Sequence, residues 1–160
     1  LISLYSLHPN DIVIICGQKR LLRRLEFFWS QEEETNCMLA TYKELSDVLN
    51  MKIDRIIDLD ERGVGSFHED VQKKIDKADK LKKRIFFPNS GKIKFSTAHS
   101  FKGLESKSVF YIMDKSDEPE LVYTAVTRSS ENLVIFDIDC DNACTQFFKS
   151  SPLLSLQSAS

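Results

Sequence analysis

The sequence predicts an α/β domain built on a mostly parallel sheet with helices on both faces. Two observations lead to this prediction. Short runs of apolar and β-branched residues alternate with longer segments whose apolar residues recur at helical spacing, and such alternation favours parallel strands joined by crossover helices. The length of 160 residues also fits one domain, which we place at residues 1–150, with a Ser-rich flexible tail at residues 151–160.

Three elements are predicted in the first 50 residues. Asp11–Cys16 is a compact apolar run between turn residues, typical of a strand buried on both faces. Lys19–Ser30 follows with leucine and aromatic residues at helical spacing. A second helix should begin at Thr41, because Thr41 and Glu44 form a capping-box pattern.

The middle of the chain is predicted to hold a strand and a long basic helix. Ile53–Leu59 reads as a strand, because isoleucine recurs in it, and the capping-box pattern at residues 66–69 opens a helix to about Arg84. Between residues 71 and 94 stand nine basic and two acidic residues. A basic helix can contact phosphate groups, although a solvated helix face is the commoner explanation of such a run.

The last third of the chain alternates more regularly between strand and helix patterns. Its predicted strands are Lys92–Thr97, Lys107–Met113 and Asn132–Ile138. Its predicted helices are Asp117–Arg128, where acidic residues and a first-turn proline suit a helix N-terminus, and Asn142–Lys149.

The composition is that of an ordinary globular protein, with 42% hydrophobic and 29% charged residues and a net charge of −2. Any contact with nucleic acid must therefore come from a local basic patch. No apolar run approaches the roughly 20 residues of a membrane span, so we expect no membrane contact. The four cysteines form no CxxC motif, which indicates a reduced, intracellular (cytoplasmic) protein, and no metal site is predicted. Because the chain begins with Leu1 and not Met, we expect a fragment of a longer protein.

Polar side chains and a glycine concentrate just after the strand that ends at Thr97. They are His99, Ser100, Lys102, Gly103 and Glu105. Ligands of open α/β sheets bind beyond the carboxyl ends of strands, so we expect this segment to lie at such an edge. Hydroxyl, imidazole and backbone N–H groups suit phosphate oxygens, and a glycine lets the backbone approach a ligand closely.

A second segment, Glu120–Ser130, carries a helix that is predicted to end at Thr127 and Arg128. Taken alone, Arg128 is typical of a surface cation near a helix C-terminus. Taken alone, His99 is typical of a hydrogen-bonded histidine in a loop. The two segments are more informative together.

Together they resemble motifs V and VI of the superfamily 1 helicases of the UvrD/Rep type, written T-x-H-x-x-K-G-L-E and L-x-Y-V-A-x-T-R-A. Thr97–Glu105 matches all six fixed positions of motif V. Leu121–Ser129 matches motif VI except at Thr124 and Ser129. The two matches stand in the family's order, with one predicted strand between them.

The resemblance implies a RecA-like fold and the C-terminal one of two motor domains in an ATP-dependent DNA helicase or translocase. ATP with Mg²⁺ would lie between the domains, held mainly by the N-terminal RecA-like domain. Arg128 would be the catalytic arginine finger, and Glu105 would accept a hydrogen bond from the ribose. Other nucleotide-contacting residues would be Gly103 and Lys102. The residues that contact single-stranded DNA would be Thr97, His99 and Ser100.

The region that resembles motif IV, Asp11–Trp29, departs from the family pattern. The family carries a nucleotide-contacting arginine just after the strand, where this chain has Cys16-Gly17-Gln18. Either Arg20 takes that role or the contact is missing. The family's large accessory insertion in this domain is also absent.

The sequence has no P-loop, the glycine-rich motif that cradles phosphates in such motors. Gly91-Lys92 is followed by Ile93 and has Phe86 in place of the first glycine of that motif. Residues 56–61 look like a Walker B strand, but are more typical of a strand capped by acidic turn residues. The fragment alone should therefore be inactive, and hydrolysis is expected only together with a P-loop domain.

Two alternatives stay open at this point. One is a non-catalytic, helicase-derived module that binds nucleic acid or protein, a reading motivated by the missing motif IV arginine. The other is an unrelated flavodoxin-like domain, which would be favoured if Glu105 and Arg128 lay at opposite edges of the sheet.

Overall fold

The computed structural model describes residues 7–63, 67–138 and 143–150, which form a five-stranded sheet and six α-helices. The strands β1 to β5 are Ile12–Cys16, Thr35–Cys37, Ile93–Thr97, Ser106–Asp114 and Ser129–Ile138. The helices α1 to α6 are Lys19–Trp29, Tyr42–Leu49, Ile53–Arg62, Glu69–Ile85, Pro119–Val126 and Ala143–Ser150.

All pairings within the sheet are parallel, and the strand order is β2-β3-β1-β4-β5. The sheet therefore has a carboxyl edge, where its strands end, and an amino edge, where they begin. Cys16 at the end of β1 pairs with Thr97 at the end of β3. At the other edge, Ser106 of β4 pairs with Ser129 of β5. The predicted parallel sheet is confirmed.

Helices cover both faces of the sheet, as predicted. Ile12, Ile14 and Cys16 of β1 pack towards α1, where Leu22 is fully buried. The alternate β1 residues pack on the opposite face against Val122 and Ala125 of α5. Every residue of β1 is buried, which accounts for the uninterrupted apolar run of its sequence.

Helices α2, α3 and α4 form a separate apolar cluster beside the sheet, centred on Tyr42, Leu45, Ile56 and Ile75. The predicted capping box of α2 is confirmed, because Thr41 Oγ1 accepts a hydrogen bond from Glu44 N and Glu44 Oε2 accepts one from Thr41 N. The long helix α4 was also predicted, whereas its proposed Ser66 cap lies outside the described residues.

The predicted strand at Ile53–Leu59 is wrong, because this segment belongs to helix α3. Its isoleucines, Ile53, Ile56 and Ile57, stand at helical spacing and do not alternate as in a half-buried strand, and Ile56 is the one that is fully buried. Charged residues occupy the remaining helix surface, where Arg62 pairs with Asp58 one turn away at 2.8 Å. Residues 56–61 are therefore helical and do not form a Walker B strand.

Smaller differences lie at the edges of elements. Strand β2 was not predicted, since its three residues, Thr-Asn-Cys, form a short edge strand without an apolar run. Phe28, placed on the apolar stripe of α1 by its spacing, is 64% exposed. The predicted tail at residues 151–160 lies outside the described residues. No helix in the described ranges is long and apolar enough to cross a membrane.

Candidate functional site

Thr97, His99 and Ser100 lie together at the carboxyl edge, where β3 ends. Thr97 Oγ1 donates to Ser100 Oγ at 2.8 Å, and Ser100 N donates to the Thr97 carbonyl oxygen at 3.0 Å. These bonds fold the chain into a tight turn after β3, and the imidazole of His99 projects from it into solvent. The structure thus groups the three residues predicted to contact nucleic acid.

The rest of the motif V segment crosses the sheet to its opposite edge. Ala98 and Phe101 are fully buried in the core that α5 covers. The chain then turns at Gly103, whose φ of +86° is a conformation that suits glycine. It reaches β4 directly after Glu105.

The expectation that the whole segment lies at the carboxyl edge is therefore wrong for Gly103 and Glu105. Because β4 is parallel to β3, the chain has to return to the amino edge before β4 can begin. Glu105 and Gly103 are both exposed there, whereas Lys102 is exposed on the crossing.

Arg128 also lies at the amino edge, in the turn between α5 and β5. Helix α5 ends at Val126, two residues earlier than predicted. The Arg128 Nη1 donates to the Leu104 carbonyl oxygen at 3.4 Å, and Ser106 N donates to the Arg128 carbonyl oxygen at 3.0 Å. These two bonds hold Arg128 against the residues on either side of Glu105. One edge therefore carries both groups, which removes the condition that would favour a flavodoxin-like domain.

The guanidinium of Arg128 is fixed by two further hydrogen bonds. Its Nε donates to the Thr124 carbonyl oxygen at 3.1 Å, and its Nη2 donates to Thr127 Oγ1 at 3.0 Å. With the bond to Leu104, three of the five N–H groups of the side chain are engaged. The side chain is half-buried, so the two remaining N–H groups are held in a defined direction.

An open cavity of about 200 Å³ lies at the amino edge beside Glu105. Its lining is polar and consists of Asn10, Asp11, Pro88, Asn89, Lys94, Glu105, Ser106, Lys107 and Ser130. Lys94 is only 3% exposed, and its ammonium donates to the Asn10 carbonyl oxygen. Burial lowers the pKa of Lys94, an effect that the nearby Asp11 carboxylate partly offsets.

Lys94 is a buried cation beside this cavity that the sequence did not single out as a candidate site residue. It was counted with the basic run of α4, although it belongs to β3. The sequence does mark Lys94 as unusual, because it stands between Ile93 and Phe95 in a strand that is buried along its whole length. A cation at such a position is uncommon unless something binds it.

Arg20 does not join the other predicted nucleotide ligands. It stands in the first turn of α1, next to the carboxyl edge, and its Nη1 donates to the Glu61 carbonyl oxygen at 3.2 Å. The whole length of β1 separates this edge from Glu105 and Arg128. Its predicted nucleotide contact is therefore not supported by its position.

The position of the family's motif IV arginine is taken here by a fixed polar network. Gln18 Nε2 donates to Asp114 Oδ1 and to Ser116 Oγ, each at 3.1 Å. The Ser116 backbone N–H and hydroxyl both donate to Asp114, and they lower the pKa of its carboxyl.

Among the described residues no group of three or more His, Cys, Asp or Glu side chains could hold a metal ion.

Comparison with known families identifies the domain. The family model of the viral superfamily 1 RNA helicase core domain matches residues 29–137, more than half of the chain. The chain belongs to that family. The matched part of this helicase core domain includes both motif-bearing segments and begins after Arg20. No curated protein matches the chain.

The five-stranded parallel sheet flanked by helices agrees with a RecA-like helicase domain. The match supports the superfamily 1 part of the resemblance found in the sequence. The match does not extend to the UvrD/Rep type, to the C-terminal position or to a preference for DNA.

Proposed function

We propose that this chain is the C-terminal RecA-like motor domain of an ATP-dependent superfamily 1 helicase or translocase. In this proposal its amino edge faces ATP held by an N-terminal RecA-like domain. Its carboxyl edge contacts a single strand of nucleic acid. The membership of the helicase family and the two motif-bearing segments support this assignment.

The observation that carries the proposal is the contact between Arg128 and the residues around Glu105. Two distant segments that match motifs V and VI meet through the Leu104 carbonyl and the Ser106 amide. A carboxylate can bind the ribose and a cation can bind the phosphates of one nucleotide, and this edge carries both, the exposed Glu105 and the half-buried Arg128.

Arg128 suits the role of an arginine finger. Phosphoryl transfer is catalysed mainly by positioning and by stabilisation of the developing charge, and such an arginine accelerates it about 10³- to 10⁵-fold. The three internal hydrogen bonds of Arg128 preorganise its guanidinium. In the proposal, Glu105 binds the ribose hydroxyl, Gly103 allows close approach of the backbone, and Lys102 supplies a further exposed cation.

The proposal assigns the triphosphate and its Mg²⁺ mainly to the partner domain. A P-loop supplies backbone N–H groups and a lysine for the phosphates, and its Ser or Thr binds the metal ion. The 160 residues contain no such motif. The chain would therefore contribute to hydrolysis only when it is joined to a P-loop domain.

In the proposal, the exposed His99 and the half-buried Ser100 supply an imidazole and a hydroxyl group for the nucleic-acid strand. Thr97, which is only 5% exposed and hydrogen-bonded to Ser100, holds the turn that presents them. The UvrD/Rep-type motifs favour single-stranded DNA, whereas the matched family is one of RNA helicases. Oligonucleotides of both kinds, compared for their stimulation of hydrolysis, decide between these substrates.

The test is Arg128→Ala in the protein that joins this chain to its P-loop domain. ATP hydrolysis should fall about 10³- to 10⁵-fold, while binding of a fluorescent ATP analogue changes little, because the P-loop holds the phosphates. Arg55→Ala, an exposed arginine of α3, is the matched control and should retain full turnover. Near-normal hydrolysis in Arg128→Ala would refute the assignment.

One observation favours a second candidate, a non-catalytic module that binds nucleic acid or protein. The hydrogen bonds that fix Arg128 are all internal, and Arg20 is remote from it. A purely structural Arg128 would show the same bonds. In that case Arg128→Ala would lower the free energy of unfolding without a specific loss of hydrolysis, and the sequence before Leu1 would lack a P-loop.

A further inference from the structure

Helix α4 presents a stripe of cations to solvent. Lys73, Lys77, Lys80 and Arg84 recur at three- and four-residue intervals, which places them on one face of the helix. All four are exposed, and they lie opposite the buried residues Ile75 and Asp79. We call this set the basic stripe.

Three members of the basic stripe form no ion pair with any described residue. Lys73 pairs with Glu69, with 2.7 Å between Nζ and Oε1. Lys82, which lies outside the stripe, pairs with Glu44 at the same distance between the same atoms. Lys77, Lys80 and Arg84 have no comparable partner in the described part of the chain, and they span about 10 Å of helix. In a chain with a net charge of −2, this is a local concentration of positive charge.

Helix α4 is attached to the carboxyl edge, where the predicted nucleic-acid contacts lie. Asp79, in the middle of α4, accepts hydrogen bonds from Lys19 Nζ and from Ala40 N, each at 3.0 Å. Lys19 begins α1 and Ala40 follows β2, so both lie at the carboxyl edge. Strand β2 neighbours β3, which ends at Thr97. A nucleic-acid strand that leaves the turn after β3 on this side therefore reaches α4, and it meets the basic stripe on the outer face of the helix, opposite Asp79.

The apolar residues of α4 do not favour a membrane as the partner. Val71, Ile75 and Ala78 pack into the cluster with α2 and α3 and are unavailable to lipid. Only Leu81 and Ile85 remain strongly exposed on the helix, too few for an amphipathic helix that inserts an apolar face. The free side of α4 is mainly cationic.

We propose that Lys77, Lys80 and Arg84 bind backbone phosphates of the single-stranded nucleic acid and extend its path beyond the turn at Thr97. This inference rests on the proposed function, since both concern the same ligand. Contacts of this kind neutralise phosphates and release counterions, so they are independent of base sequence and sensitive to salt.

The test neutralises the three cations with Lys77→Gln, Lys80→Gln and Arg84→Gln in the 160-residue chain. Glutamine keeps the helix propensity, and circular dichroism verifies the fold. Binding of fluorescein-labelled dT20 and rU20 is followed by anisotropy at several KCl concentrations. Three lost phosphate contacts should reduce the slope of log K against log salt by about 2 and weaken binding about 100-fold at 0.1 M salt.

The matched control removes the same charge elsewhere, with Lys43→Gln, Lys52→Gln and Arg55→Gln on exposed positions at α2 and α3. Its slope should stay close to that of the unmodified chain. Equal losses in the two triple variants would overturn the inference, because they would report net charge alone. Binding to vesicles of phosphatidylcholine and phosphatidylserine in a 3:1 ratio, without an effect of the stripe on oligonucleotides, would also overturn it.

A third variant separates this inference from the proposed function. If Thr97→Ala with His99→Ala abolishes binding and the stripe variant does not weaken it, the inference about α4 fails and the proposed function stands. If only the stripe variant loses affinity, the inference stands and the assignment of the turn after β3 fails. If the unmodified chain binds neither oligonucleotide, both fail.

Discussion

Arg23 and Asp79, 56 residues apart in the sequence, meet in a buried ion pair in which Arg23 Nη2 lies 2.9 and 3.0 Å from the two carboxylate oxygens. Both residues are less than 5% exposed. Arg23 Nε also donates to the Ala40 carbonyl oxygen at 3.0 Å, so that α1, the end of β2 and α4 are tied at one point. This junction fixes the α2–α4 cluster, and with it the basic stripe, to the sheet.

Asp79→Asn should lower the free energy of unfolding by about 3 kcal/mol, because it leaves the buried Arg23 guanidinium with only the more distant Asp60 carboxylate, 3.9 Å from Nη1. Urea denaturation followed by circular dichroism measures the change. Asp76→Asn is the control on the same helix. Within the described part of the chain, Asp76 accepts one hydrogen bond, from Gln72, and its variant should stay within about 0.5 kcal/mol of the unmodified chain. Similar losses in the two variants would contradict the proposed junction.

Gly17→Ala should destabilise the domain by about 3 kcal/mol, because a Cβ there would lie 2.2 Å from Asp117 Oδ1 and 2.7 Å from Leu121 Cδ2. Asp117 cannot move away easily, since Tyr111 donates a 2.6 Å hydrogen bond to it. Gly103→Ala is the comparison, because its Cβ would meet nothing within 4 Å and only its positive φ is unfavourable. That variant should lose about 1 kcal/mol. A larger loss for Gly103→Ala in thermal or urea unfolding would disprove the steric argument.

Relative to the unmodified chain, Glu26→Gln should become increasingly stabilising as the pH rises from about 4.3, the pKa of an unfolded glutamate, towards neutral. Glu26 is 3% exposed and accepts a hydrogen bond from Thr35, and burial raises the pKa of its carboxyl. An unfolded glutamate titrates at about 4.3, so the folded state binds the proton more tightly. The stability of the unmodified chain therefore falls as the pH rises from there through the folded-state pKa.

The Glu26→Gln variant does not lose stability in this way, because it has no carboxyl group to titrate at position 26. The measurement is the difference in unfolding free energy between the variant and the unmodified chain across that pH range. Glu33→Gln, at an exposed position, is the control for the loss of one glutamate charge. A flat difference for Glu26→Gln would show that its burial does not control its titration.

Thr97→Ala combined with His99→Ala should weaken the stimulation of ATP hydrolysis by single-stranded nucleic acid in the protein that includes the P-loop domain. Loss of one charge-assisted hydrogen bond to a phosphate raises the half-saturating oligonucleotide concentration about 10-fold. Hydrolysis without nucleic acid serves as the internal control and should be unchanged, because Arg128 lies at the other edge. Unaltered stimulation would count against the role of this turn.

Most of the fold could be predicted because its signals are local. Strand β1 is buried on both faces and is apolar throughout, and the cap of α2 depends on two residues three positions apart. Helix α3 was mistaken for a strand because isoleucine is typical of strands, although the isoleucines stand at the helical spacing that packs them against α2 and α4. Strand β2 owes its existence to pairing with β3, which no local pattern encodes.

The sequence indicated residues of a candidate site but did not give the edge on which each of them lies. Motif spacing indicated Glu105 and Arg128, whereas their edge follows from strand direction. Strands β3 and β4 are both parallel to β1, so the segment that connects them has to return to the amino edge. Lys94 was overlooked because it was counted with the basic run of α4, although it stands in the buried strand β3.

Residues 98–105 connect the turn after β3 at one edge of the sheet to the surroundings of Arg128 at the other. Ala98 and Phe101 are fully buried beneath α5, and the Leu104 carbonyl oxygen accepts a hydrogen bond from the Arg128 guanidinium. Under the proposed function, a displacement of the turn by bound nucleic acid would reach the arginine through this segment. Contact with nucleic acid and the orientation of the arginine would then be coupled.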